Sequence, residues 1–276
     1  MARSPYVTPS TNVDWKMAQA LNEIFSNYGD AADVIGKAKS LLKFGENDDL
    51  AASTWETVWE IGDDETYVST NIIDTISSSD AGDTQTINIE GHTVTGTGAN
   101  QQFTFVVQEV TLNGQNKVTL TTPLARVSRA ANDNGTTLLG DVYVYEDTAI
   151  SGGVPTDLTK AHIKLAGASE GYNQSFKAAT TFSNTDYFIL SSFGVSITKG
   201  KAAAVDFELQ LRAPGGIFLP KVRVSTSSTG TSSEAVYFDP YIVVPKNNDI
   251  RIRANSDTLA TPVNAYFQGY IAQVVE

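Results

Sequence analysis

Five residues, Gly167-Ala168-Ser169-Glu170-Gly171, have the Gly-x-Ser-x-Gly spacing of a nucleophile elbow, in which a sharp strand-to-helix turn presents a serine for attack on an ester. A strand-like run at 162–165 precedes them, so ester hydrolysis is the first chemistry to weigh. Hydrolases with that elbow place the general base after the nucleophile in chain order, and the only two histidines, His92 and His162, both precede Ser169. The elbow lacks its base. Nor does the spacing of the histidines suit a metal or an acid–base pair: His92 follows Gly91 where a turn is expected, and His162 shares a strand face with Lys164, which predicts a solvated side chain. Asp63-Asp64-Glu65 and Asp80-Ala81-Gly82-Asp83 offer oxygen ligands of the kind calcium takes, without the spacing of an EF-hand loop. Aspartates beside glycine are expected in turns, where they bond the nearby backbone. The sequence is therefore read as non-enzymatic, with no catalytic residue, cofactor or metal ligand assigned.

Aromatic and basic residues offer a different chemistry, that of contact. Tyr143 and Tyr145 fall on one strand face, and Trp55 and Trp59 lie four apart where helical periodicity gives way to alternation. Such pairs fill cores and subunit contacts more often than they form sugar platforms, so a host glycan stays an alternative partner. Arg251 and Arg253 share a strand face and Arg126 and Arg129 lie close in sequence, which suggests ion pairs between neighbouring subunits. The formal net charge of −12, with no Lys/Arg cluster, argues against duplex nucleic acid as a partner. Absence of cysteine excludes disulfides and thiolate metal sites. Met1-Ala2-Arg3-Ser4-Pro5-Tyr6 lacks the apolar core of a signal peptide and no run is long enough to cross a bilayer, so the chain is expected to be made and kept in the cytosol.

The elements that would position these residues fall into three parts: 1–54, 55–155 and 156–276. In the first, Asn12 or Asp14 can cap a helix on which Met17, Leu21, Ile24, Phe25 and Tyr28 recur at spacings of three and four, ending at Gly29. A second helix from about Asp30 to Gly45 carries Val34, Ile35, Ala38, Leu41 and Leu42 on one stripe. This helical hairpin buries too little by itself, so its stripe must rest on the β body, a neighbouring subunit or another protein.

Beyond Gly45 the period drops to two. Strands are expected at 57–61, 85–90, 103–112, 117–121 and 140–145, with Asn113-Gly114 as a tight hairpin turn and Ser151-Gly152-Gly153-Val154-Pro155 as a linker. The last part carries strands at 162–165, 186–191, 194–198, 205–212, 218–224, 235–238, 241–244, 249–254 and 263–273. That density predicts a mainly β chain: an antiparallel β-sandwich or jelly-roll-like body with a short N-terminal α-helical arm.

The succession Leu41-Leu42-Lys43-Phe44-Gly45-Glu46-Asn47-Asp48-Asp49-Leu50 then Thr57-Val58-Trp59, with Ile76-Ser77-Ser78-Ser79-Asp80 and Val110-Thr111-Leu112-Asn113-Gly114, resembles virion structural proteins of tailed bacteriophages from aquatic hosts. Gly171-Tyr172-Asn173-Gln174-Ser175, Leu211-Arg212-Ala213-Pro214-Gly215-Gly216 and Pro245-Lys246-Asn247-Asn248-Asp249-Ile250-Arg251-Ile252-Arg253-Ala254 extend the likeness to the C-terminus. The resemblance implies a virion component assembled in the host cytoplasm. Its implied partners are further copies of itself and other virion proteins such as the major capsid protein, with no membrane. A capsid decoration or cement protein is the leading expectation; a tail, neck or fibre component, or a glycan-binding attachment protein, is the alternative. Met17, Leu21, Ile24, Phe25, Tyr28, Val34, Ile35, Leu41, Leu42, Trp55, Trp59, Arg251 and Arg253 are the expected subunit contacts.

Overall fold

The computed structural model describes residues 39–133, 136–167, 173–198, 203–228 and 231–273. Met17, Leu21, Ile24, Phe25, Tyr28, Val34 and Ile35 lie outside them, as does Ser169. In chain order the strands are β1 (Lys39–Leu50), β2 (Glu56–Thr57), β3 (Ile73–Ser78), β4 (Thr86–Thr95), β5 (Gln102–Thr111), β6 (Val118–Leu124), β7 (Arg126–Asn132), β8 (Val142–Glu146) and β9 (Ile150–Ser151). They continue as β10 (Val154–Pro155), β11 (Ala161–Leu165), β12 (Ala179–Thr181), β13 (Asp186–Thr198), β14 (Ala203–Arg212), β15 (Leu219–Ser228), β16 (Thr231–Val244), β17 (Asp249–Ser256) and β18 (Thr261–Gln273). Among the described residues the chain is mainly β and holds no α-helix.

Two antiparallel sheets, β1-β18-β13-β16 and β12-β17-β14-β15 with β2 added on β17, face each other across one core. Alternation builds it. In β14, Val205, Phe207, Leu209 and Leu211 point inward, and Leu190, Phe193, Ile252, Val263 and Phe267 meet them from the other strands. Each such side chain contributes roughly 1.5–3 kcal/mol on leaving water. The stacked rings of Phe182 and Phe188, centroids 4.8 Å apart, fix the start of β13.

Residues from about 65 to 174 form a second sandwich of the sheets β11-β8-β3-β6 and β5-β4-β7, with its own core of Ile73, Ile76, Ile87, Leu124, Val144 and Ile163. It is inserted between β2 and β12 of the first. The chain leaves and returns at adjacent points, since Trp59 bridges Lys177. Ser151-Gly152-Gly153-Val154-Pro155 is a tight β9–β10 hairpin within this insert, with Gly152 and Gly153 both at positive φ (56° and 78°).

Several expectations need correction. Leu41 and Leu42 stand in a strand, not a helix: β1 pairs with β18 from Lys39↔Ile271 onward, and pairing across the sheet overrides the local 3.6 spacing. Gly45, read as a helix stop, is a point of close approach, since a Cβ there would lie 2.2 Å from the Val58 carbonyl oxygen and 2.3 Å from the Ala178 nitrogen. His92 lies inside β4, and Gly91 before it lets the Arg126 backbone come close where the β4–β7 register shifts. His162 is buried, because a register shift between Ala161 and Ile163 breaks the alternation that would have turned it outward. Around Asn113-Gly114 the turn is centred one residue later, with the Asn116 amide donating to the Asn113 carbonyl, and it carries the chain from one sheet to the other.

Gly45→Ala separates the two readings of that residue. In a helix it would be neutral or stabilising; in β1 it forces backbone apart and is expected to cost about 1–3 kcal/mol, read as a lower midpoint in chemical denaturation.

Candidate functional site

The polar groups that sequence singled out serve the fold. Asp83 accepts from the amides of Leu139 (2.8 Å) and Gly140 (3.0 Å) and from the Ser78 hydroxyl, and Asp80 accepts from the Gly82 amide at 2.7 Å. Among the described residues no His/Cys/Asp/Glu group has the arrangement of a metal site. His162 Nε2 lies 3.3 Å from Glu146 Oε1; burial pulls its pKa down and Glu146 pulls against that. His92, packed edge-on against Phe105, is held near pKa 4, chiefly by burial.

Where the two sandwiches meet, the chain buries a charge network. Asp249 at the start of β17 accepts from Arg126 Nε (2.9 Å) and Thr181 Oγ1 (2.6 Å) on one oxygen and from Arg212 Nε (2.8 Å) on the other. Burial alone would raise its carboxyl pKa, but the two guanidiniums and their hydrogen bonds outweigh it and the net direction is down. Arg126 belongs to the insert and Arg212 to the first sandwich, so one carboxylate ties both bodies. Lys177, at the returning crossover, pairs with Glu65 at the departing one (2.5 Å) and donates to the carbonyls of Val127 and His162. Tyr67 and Phe218, edge to face at 4.9 Å, sit among the guanidiniums, with Arg212 4.2 Å from Tyr67 and Arg251 3.8 Å from Phe218.

Of the expected subunit contacts, Arg251, Arg253, Trp55 and Trp59 have partners inside the chain. Arg251 and Arg253 both pair with Asp64, at 2.9 and 3.3 Å. Trp59 is buried, its Nε1 donating to the Gly62 carbonyl, and Trp55 lies under Arg223 and Arg253. Tyr143 and Tyr145 are buried in the insert. This junction went unseen in the sequence, because partners such as Asp64 and Arg251 lie 187 residues apart and nothing local links them.

Lys43 is the unusual member. Its residue is only partly covered, yet its ammonium is enclosed, donating to the Ser128 carbonyl, and its pKa falls to about 7. Burial is the main cause; Lys177 and Arg129 add to it, while Glu90 and Glu65 oppose.

Exposed apolar side chains also stand on the outer face of β1-β18-β13-β16. Register puts Leu42, Gln268, Ser192 and Tyr237 in one row across the four strands, and Phe44, Tyr266, Gly194 and Ala235 in the next. The Tyr266 ring lies flat on Gly194, where any Cβ would meet it at 2.2 Å. A depression of about 530 Å³ lies at the second of these rows and the residues beyond it, edged by Phe44, Phe176 and Tyr266 with Asn264 and Ser233. Leu42 and Tyr237 are 55% and 75% exposed, a large apolar area for a face already shaped by a recess. Among the sequence candidates that fall in the described residues, only Leu42 projects from this face; Leu41, on the opposite side of β1, packs on the core.

No family model and no curated protein matches the chain. Among solved structures, that of infectious bursal disease virus, Gx strain, aligns over 86% of this chain and 78% of its own at 9% identity and a TM-score of 0.20. The infectious bursal disease virus VP2 subviral particle aligns over 86% and 71% at 10% identity and the same score of 0.20. Similarity at this level carries neither fold nor function across.

Two outcomes are expected of the junction. Asp249→Asn leaves Arg126 and Arg212 without a counter-charge and should cost about 3–5 kcal/mol in a denaturant titration. Between about pH 7 and 10 the unfolded Lys43 holds a proton that the folded one has lost, so stability should rise with pH across that window. Lys43→Met should remove up to about 1.4 kcal/mol per pH unit of that slope, measured from melts at several pH values.

Proposed function

We propose that the chain is a non-enzymatic structural protein of a bacteriophage virion, a capsid decoration protein that self-associates and clasps a neighbour with the residues before Lys39. The observation that carries this reading is the set of apolar side chains, Leu42, Tyr237 and Val243, left exposed on the outer face of β1-β18-β13-β16, on a body whose sheet order is that of a jelly roll. In that arrangement β1, β12, β13 and β14 alternate between the sheets, β14 and β15 pair in one, and β16, β17 and β18 alternate again. Jelly rolls serve in capsid and lectin domains among others, so the architecture alone does not choose. The face adds what the architecture lacks: a contact surface of aromatic and small residues, with no catalytic constellation assigned from the sequence. The resemblance of the sequence to virion proteins of tailed bacteriophages supports the same reading. A cytosolic site of assembly suits a chain that holds together without disulfides.

A tail or fibre component that binds host glycan is the second reading. It is favoured by the pairing of Phe44, Phe176 and Tyr266 with the polar Asn264 and Ser233 in one recess.

Because β1 is integral to the first sandwich, the informative truncation ends before Lys39. Removal of residues 1–38 is expected to leave the cooperative unfolding transition in place and to abolish self-association and particle binding, followed by light scattering and by sedimentation with capsids. Undiminished association would refute the clasp; retained glycan binding by a monomeric body would favour the second reading.

A further inference from the structure

Along the outward side of β18 the chain sets an aromatic ring between two carboxamides: Asn264, Tyr266 and Gln268 alternate with the core-facing Ala265 and Phe267. Tyr266 lays one ring face on Gly194, which has no side chain to lift it, and turns the other toward the recess. Asn264 stands two residues along the strand, about 7 Å away, and pairing continues its row through Ser196 on β13 to Ser233 on β16. Phe44 and Phe176, centroids 5.1 Å apart, wall the recess beside Tyr266. Its volume of about 530 Å³ falls inside the roughly 300–1,000 Å³ of small-molecule sites. Ile189 and Ser192, farther along β13, are buried, and the recess ends before it reaches them.

A flat ring bordered by carboxamides and hydroxyls is complementary to a sugar. The ring offers an apolar plane to the C–H face of a pyranose, while carboxamides and hydroxyls both donate and accept, as sugar hydroxyls do. Elsewhere the chain spends such amides on itself: Asn47, Asn71, Gln108 and Gln210 bond to neighbouring groups. Among the described residues the side-chain amides of Asn264 and Gln268 have no such partner, and Gln268 is exposed. Charge narrows the class. Glu46 continues the Asn264 row and Glu234 lines the recess, on a chain of net charge −12, so an anionic sugar or a phosphate is repelled. We infer that this recess binds a neutral pyranose, its apolar face laid on Tyr266 and its hydroxyls bonded to Asn264, Ser196 and Ser233. The inference rests on the glycan reading above and adds to it the charge of the sugar and the ring that holds it, whichever part of a particle carries the protein.

The test titrates the full-length protein, by saturation-transfer NMR and calorimetry, with methyl glycosides of galactose, glucose, mannose and N-acetylglucosamine, with neutral oligosaccharides of the same sugars, and with sialylated and sulfated counterparts. At least one neutral sugar should bind, about tenfold or more tighter than its acidic counterpart. Tyr266→Ala should weaken that binding at least about tenfold, whereas Tyr266→Phe, which keeps the ring, should hold it within about threefold. Gly194→Ala is a second variant: a Cβ there meets the Tyr266 ring at 2.2 Å, so the ring must lift and binding should fall with the aromatic still present. Thermal melts show which variants are folded, and Gly194→Ala with Asn264→Ala carries the test if Tyr266→Ala is not. No binding of any neutral sugar overturns the inference. Preference for the acidic sugars, or binding indifferent to Tyr266→Ala and Gly194→Ala, overturns it as well and leaves the glycan reading standing. Location is read separately, from antibody-labelled particles: Tyr266-dependent binding by a head-shell protein upholds the inference and removes the tail reading, and a tail protein that binds no neutral sugar does the reverse.

Discussion

One carboxylate, Asp249, holds the molecule's two halves in a single arrangement. It is buried, so it must be paired, and its partners come from both bodies: Arg126 from the insert, Arg212 and Thr181 from the first sandwich. A buried ion pair stabilises less than its Coulomb energy suggests, because desolvation takes most of it back. What it supplies is selection. Any other docking of the insert strands a guanidinium or the carboxylate away from water, which is a steeper penalty than a shifted apolar contact would carry. Lys177 with Glu65 does the same for the two crossover segments. The junction thus behaves as a keyed joint between two separately cored sandwiches.

That division of labour frees the remaining surface. Charge is paired inside, on Glu65 and Asp249, while the outer face of β1-β18-β13-β16 carries aromatic, small and uncharged polar side chains and few charges. A sheet needs one buried face to be stable, and this sheet already has it in the core shared with β12-β17-β14-β15. Its other face mixes exposed apolar side chains, Leu42, Tyr237 and Val243, with polar ones such as Gln268 and Asn264.

Much of the β architecture was legible. Alternation located β14, β17 and β18 nearly to the residue, and the two strands expected at 186–191 and 194–198 are one strand, β13, with a register shift between Leu190 and Ser192. β1 was not legible, since Leu41, Leu42 and the residues before them carry a helical spacing that only the pairing with β18 overrules. β3, β7 and β12 also escaped notice: Arg126-Val127-Ser128-Arg129 alternates too weakly, and Ala179-Thr180-Thr181 is too short to show a period. The histidines were misplaced for different reasons: a register shift beside His162 removes the regularity on which its outward facing was inferred, and Gly91, read as marking a turn before His92, lies with it inside β4. The charge junction had no sequence signature, because its partners are brought together by the insertion and not by spacing. On the outer face, Leu42 was named for the wrong element, and Tyr237 and Tyr266 were not named.

β1 pairs with β18, so the first and last described strands of the chain are hydrogen-bonded neighbours. During synthesis the ribosome delivers β1 more than two hundred residues before its partner, and the place beside it stays empty until β18 has been made. The row Phe44, Tyr266, Gly194 and Ala235 spans the same interval. A chain that has not yet reached β18 therefore cannot display this row, whatever else of the molecule has folded.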